Sequence, residues 1–145
     1  METILNDEVA TLTYEEDLKV LTIAWKHKKL TFEEYQKPFR IALDYMTKKP
    51  VYNYISDIRD QGIIGPDFRK WLQEVAMPEA AKAGLKRVVG VANVNIFKQY
   101  YINNVFQSAK KFGIPFKMFN TSKKPKNGSK NLSQRVSHTA LLLHL

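Results

Sequence analysis

At 145 residues, 44% hydrophobic and 12% aromatic, the chain has the length and apolar content of one packed domain, which excludes two large ones. It contains no cysteine, which excludes disulfides, thiolate metal sites and a cysteine nucleophile and makes the reducing cytoplasm the expected compartment. The net charge of +9 points to nucleic acid only until its position is considered: all 14 acidic residues lie at or before Glu79, and Lys123, Lys124, Lys126, Lys130 and Arg135 of a polar tail carry more than half of the excess. The acidic N-terminus lacks the pattern of a secretory signal, and no run approaches the ~20 apolar residues of a membrane-spanning helix, so a soluble protein is expected.

Val9–Tyr14 and Leu18–Trp25, rich in Val, Thr, Ile and aromatics and separated by Glu15-Glu16-Asp17, predict a β-hairpin. Thr31-Phe-Glu-Glu34 has the form of a capping box, and Phe32, Tyr35, Phe39, Ala42, Leu43 and Met46 follow at helical spacing, so a helix is expected to about Thr47. Pro38 inside it removes a backbone donor and is expected to bend the helix or move its start. Val51–Ile58 predicts a third strand. After the Arg59–Gly65 loop, Pro66 suits the first position of a second helix carrying Phe68, Trp71, Leu72 and Val75, interrupted at Met77-Pro78 and closed at Gly84.

Leu85–Ala92, with Val88-Val89-Gly90-Val91, predicts a central strand covered on both faces. A third helix is expected from a cap at Asn93 or Asn95, through Ile96, Phe97, Tyr100, Tyr101, Val105 and Ala109, to a stop at Gly113; Ile114–Asn120 is the last strand. The expected fold is α/β, a small mixed sheet of about five strands in the order β-β-α-β-α-β-α-β flanked by helices, over residues 1–120, with 121–145 an irregular basic tail.

Leu21-Thr-Ile-Ala-Trp25 before Thr31-Phe-Glu-Glu-Tyr35, Asp57 at the end of the third strand, Trp71 in the second helix, Ala83-Gly-Leu-Lys-Arg-Val-Val89 and Gly113-Ile-Pro-Phe116 together resemble a SpoIIAA-like member of the STAS group over Val9 to Asn120. The resemblance implies a four- to five-stranded sheet with helices and a domain that binds partner proteins, nucleotides or lipid-like ligands and seldom carries chemistry. The phosphorylatable hydroxyl that opens a helix in the group's anti-sigma-factor antagonists is missing, since Ile64-Gly65-Pro66-Asp67 stands there. The resemblance also implies an Ala-x-x-Trp-Leu helix after the last strand. Read one base out of frame, and with Ser129 on a TCN codon, the codons for Lys124-Pro-Lys-Asn-Gly-Ser129 permit Ala, Glu or Lys, Glu or Lys, Trp and Leu in succession, among other residues. The expectation is that the chain after about Lys124 is out-of-frame translation, against the alternatives of a native basic tail or a short helix over Leu132–Leu145. Sequencing the gene decides it: a shifted frame that stops at once or lacks Ala-x-x-Trp-Leu overturns the expectation.

Of the three histidines, His138 and His144 are in the tail, and His27 has no Asp, Glu or His beside it at metal-ligand spacing, so it is taken for an exposed turn residue. There is no Gly-x-Ser-x-Gly elbow and no phosphate-binding glycine loop; Gln61-Gly62-Ile63-Ile64-Gly65 is taken for a turn that uses glycine. No catalytic residue, metal or cofactor is expected. The candidate binding residues are Asp57, Arg59, Asp60 and Gln61 after the third strand with Asn93 and Asn95 after the fourth, because ligands of open parallel sheets sit beyond strand carboxyl ends. An ordinary Asp57–Arg59 ion pair and asparagines that only cap a helix are the competing account. The expected function is a non-enzymatic binding or regulatory module for a protein partner or a small, apolar or lipid-like ligand. A nucleic-acid-associated protein using the basic second half is the alternative, and peripheral membrane contact and homodimer formation stay open.

Overall fold

A computed structural model describes residues 1–62, 64–93 and 107–121. The described residues form six strands, β1 (Glu2–Asn6), β2 (Ala10–Glu15), β3 (Val20–Trp25), β4 (Asn53–Asp57), β5 (Arg87–Asn93) and β6 (Phe116–Thr121), with helix α1 (Phe32–Met46) after β3 and α2 (Pro66–Trp71) and α3 (Met77–Lys82) after β4. A 3₁₀ helix, Gln107–Phe112, precedes β6. The strands lie side by side in chain order; β1–β2 and β2–β3 are antiparallel, and β3, β4, β5 and β6 run parallel. The α/β architecture is as expected, but the sheet has six strands where about five were predicted. The additional one is β1, an edge strand whose pairing with β2 is broken by a bulge between Thr3 and Leu5.

Right-handed crossovers between parallel neighbours taken in chain order bring each connecting helix to the same side of the sheet. Accordingly Tyr35, Phe39 and Ala42 of α1, Met77 and Ala80 of α3, and Ala109 share one buried cluster with Leu12, Leu21, Ile23, Tyr54 and Val88 of the strands. Because side chains alternate along a strand, Val20, Ile55, Val89 and Val91 form a second cluster on the opposite face, packed with Leu18 and Phe119. The near-continuous burial of β5, from Val88 to Ala92, follows from this two-faced position.

The capping box forms as predicted: Thr31 Oγ1 accepts from the Glu34 N–H at 3.2 Å, and the Thr31 N–H donates to Glu34 Oε1 at 2.9 Å. Pro38 is buried inside α1 without displacing the helix start. The interruption expected at Met77-Pro78 falls one turn earlier and does not end the helix. Between α2 and α3 the chain makes a π-helical turn over Leu72–Ala76, in which the Met77 N–H donates to the Leu72 carbonyl. Pro78 lacks the N–H that would pair with the Glu74 carbonyl and its ring crowds that group in α geometry, so one wider turn carries the helix past it.

α3 ends in a Schellman motif, Leu85 N–H to Ala80 O at 3.0 Å and Gly84 N–H to Ala81 O at 3.2 Å, and the 3₁₀ helix ends the same way with Ile114 donating to Ala109 and Gly113 to Lys110. The φ values of Gly84 and Gly113, 107° and 72°, are those this motif requires. The expected helix from Ile96 lies mostly outside the described residues, as do Asn95 and everything after Thr121. No helix among the described residues is long and apolar enough to cross a membrane.

Candidate functional site

Asp57, the last residue of β4, has both carboxylate oxygens engaged by Arg59: Oδ1 accepts from the Arg59 Nε at 2.9 Å and from its backbone N–H at 3.2 Å, and Oδ2 from Nη2 at 2.6 Å. Both side chains are partly buried, and the Asp57 carboxylate raises the Arg59 pKa further above its already high ordinary value. Asn93, at the end of β5, donates from Nδ2 to the Arg59 carbonyl at 2.7 Å, while the Ile58 N–H donates to the Val91 carbonyl at 2.9 Å. Asp57, Arg59 and Asn93 are therefore brought into one hydrogen-bonded group. Gln61 is buried and its N–H closes a turn on the Ile58 carbonyl at 3.2 Å, whereas Asp60 is exposed.

This arrangement is a brace. A carboxylate with both oxygens held by one guanidinium fixes the direction in which the chain leaves β4, and Asn93 secures the same loop from the neighbouring strand. Asp57→Asn is expected to lower stability by about 1 kcal/mol, because Arg59 keeps its burial and loses its charged acceptor. Asp60→Asn should change stability by less than about 0.5 kcal/mol. Urea denaturation measures both, and equal midpoints for the two variants would show that the pair holds nothing in place.

The open space at the carboxyl ends of the strands lies one loop over. A pocket of about 560 Å³ is lined by His27, Lys28, Lys29 and Leu30, which follow β3, and by Gly62, Ile64, Gly65 and Phe68, which follow β4 and begin α2. Its volume is that of a small-ligand site.

The first wall is tied down at three residues, Lys26, Lys28 and Thr31. The Lys26 N–H donates to the Val9 carbonyl at 2.9 Å and its Nζ donates to Asn6 Oδ1 at 2.7 Å; Lys28 pairs with Glu34 and, at 3.3 Å, with Glu8; Thr31 caps α1. The Lys28 pair holds the Glu34 carboxyl below its usual range and the Lys28 ammonium above its own. Between these anchors His27 and Lys29 are exposed and have no ion-pair partner among the described residues. Phe68, on the second wall, stacks on Phe32 at a centroid separation of 5.4 Å, and both rings join an aromatic cluster with Tyr35 and Trp71.

The two glycines of the second wall lie in the expected connection between β4 and α2, whose geometry does not call for glycine at either position. Gly65 has φ −75°, Gly62 likewise lies outside the left-handed region, and a methyl group on either would meet no atom within 4 Å. Neither backbone conformation nor close packing requires glycine here. What the absent side chains leave is open space at the pocket wall.

A second cavity, of about 40 Å³, lies between the sheet, α1 and α3, lined by Leu21, Ile23, Phe39, Tyr54, Met77 and other apolar side chains. The lining is almost wholly apolar and the volume small, so this space is a packing void. Among the described residues no three His, Cys, Asp or Glu side chains gather as a metal ion would need. Sequence reasoning placed its candidate at the ends of β4 and β5, and so missed His27, Lys28, Lys29, Leu30, Gly62, Ile64, Gly65 and Phe68. The one available signal was the pair of glycines, legible only once their backbone angles are known. Comparison with protein-family models, with characterised proteins and with solved structures finds no match.

Proposed function

We propose that the chain is a non-catalytic binding module that receives a small ligand in the pocket at the carboxyl ends of β3 and β4. The observation that carries this reading is the pocket itself, of ligand-sized volume, walled by two loops braced from outside it and kept open by two glycines that the backbone does not need. The resemblance to SpoIIAA-like proteins supports the reading, since it implies small-ligand or partner binding without chemistry. The adjoining Asp57–Arg59–Asn93 group positions the second wall and is not a ligand contact in this account.

Gly62→Phe is the test, because a large side chain enters the free space without backbone strain. Native mass spectrometry of the purified protein, followed by a small-molecule screen monitored by backbone amide resonances, is expected to give ligands that shift Lys29, Leu30 and Phe68 in the parent and leave them unmoved in Gly62→Phe. Ligands that bind both proteins equally, or none at all for the parent, would overturn the proposal.

A further inference from the structure

The pocket is two-sided in chemistry as well as in chain origin. From the β3 side come His27, Lys28 and Lys29, and no acidic residue lines the space. Lys28 is already neutralised by Glu34 and Glu8, which leaves Lys29, exposed and without an ion-pair partner among the described residues, as the uncompensated cation. Leu30, Ile64 and Phe68 supply apolar surface, and Phe68 is backed by its stack on Phe32 and held in place by Tyr35, 5.0 Å away between ring centroids. Apolar wall and cationic rim belong to one open pocket. Phe32 extends the apolar surface toward solvent, at 36% exposure.

Resting on the proposed function of this pocket, we infer that its ligand is an amphipathic monoanion: a carboxylate head at Lys29, with His27 beside it as a hydrogen-bonding group, and a hydrocarbon body along Leu30, Ile64 and Phe68. One uncompensated ammonium favours one negative charge. A neutral apolar ligand would make no use of the exposed Lys29 ammonium, which would stay in water, and a compact inorganic anion would leave the apolar walls in water. Only a molecule with both parts satisfies both sides. Gly62 and Gly65 fit the same reading, because the body of such a ligand lies against backbone where side chains are missing.

The experiment titrates the parent protein with octanoate, octanol and inorganic phosphate, following the amides of Lys29, Leu30, Gly62 and Phe68. Octanoate should bind most tightly, and Lys29→Ala, an exposed substitution that leaves the core untouched, should weaken octanoate by up to about fivefold, the range of an exposed ion pair, while leaving octanol unchanged. Raising the salt concentration should weaken octanoate alone. Octanol binding as tightly as octanoate, with Lys29→Ala without effect, would overturn the anionic head and leave the binding pocket standing. Phosphate binding as tightly as octanoate would overturn the apolar body. If none of the three probes moves these amides while the wider screen still finds ligands that Gly62→Phe excludes, this inference fails and the binding reading survives; if the screen is also empty, both fail.

Discussion

Tyr35→Ala is expected to lower stability by about 3–5 kcal/mol, the range for removing a buried aromatic side chain together with the void it leaves. Tyr35 is 2% exposed and lies at the centre of the ring cluster: it stacks on Trp25 at 5.2 Å with 16° between planes and meets Phe39 at 5.1 Å and Phe68 at 5.0 Å. Those contacts join α1 to β3 on one side and to α2 on the other, so one truncation loosens three elements. Because a domain of this size is stable by only about 5–15 kcal/mol, the variant should be marginal at ambient temperature. Urea denaturation gives the magnitude, and the near-ultraviolet circular dichroism of Trp25 and Trp71 should collapse with it. Tyr35→Phe retains the ring and should restore most of the loss; a cost below about 1 kcal/mol for Tyr35→Ala would refute the packing described.

Tyr54→Phe should do the opposite and stabilise the fold by about 1–2 kcal/mol. The Tyr54 hydroxyl is buried in the sheet–helix core with no hydrogen-bond partner among the described residues, and leaving such a group unsatisfied costs its desolvation. Burial drives its pKa well above the ordinary tyrosine value of 10.0, and the neighbouring Ser56 hydroxyl opposes this rise. The raised pKa fixes the sign of the pH dependence. Below pH 10 neither folded nor unfolded Tyr54 is ionised, whereas above it only the unfolded chain gains by losing the proton, so the parent loses stability as the pH rises. The advantage of Tyr54→Phe should therefore widen in alkaline solution. Thermal denaturation at neutral and alkaline pH tests both parts, and a variant less stable than the parent would mean that the hydroxyl is bonded.

The elements that the sequence made legible are those whose signal is local. Thr31 and Glu34 cap α1 through side chains three residues apart, and the alternation from Ala10 to Trp25 places Leu12, Tyr14, Leu21 and Ile23 on the helix-bearing face. β1 escaped detection because it is an edge strand with a mostly exposed burial pattern, and its bulge breaks the period of two that identifies a strand. The passage of the second helix through Pro78 escaped because it depends on backbone bonds from Met77 to Leu72, which leave no mark on the spacing of apolar side chains. The pocket escaped for a third reason: Lys29 and Phe68 stand far apart in the chain, and what makes them neighbours is the parallel pairing of β3 with β4.

Chain order and spatial order coincide throughout this sheet, from β1 at one edge to β6 at the other. The loop from Glu16 to Lys19 closes the first long hairpin, whereas Val20 finds Asn53, and Asn53 finds Arg87, only after about thirty intervening positions each. At ~0.6 kcal/mol for each doubling of loop length, every parallel addition costs about 2 kcal/mol more in closure entropy than the hairpin does. A chain emerging from the ribosome meets these costs singly and in sequence, since each new strand docks on an edge that is already exposed and no strand must be threaded between two that have paired. Assembly can keep pace with synthesis, and the sheet grows at one advancing edge.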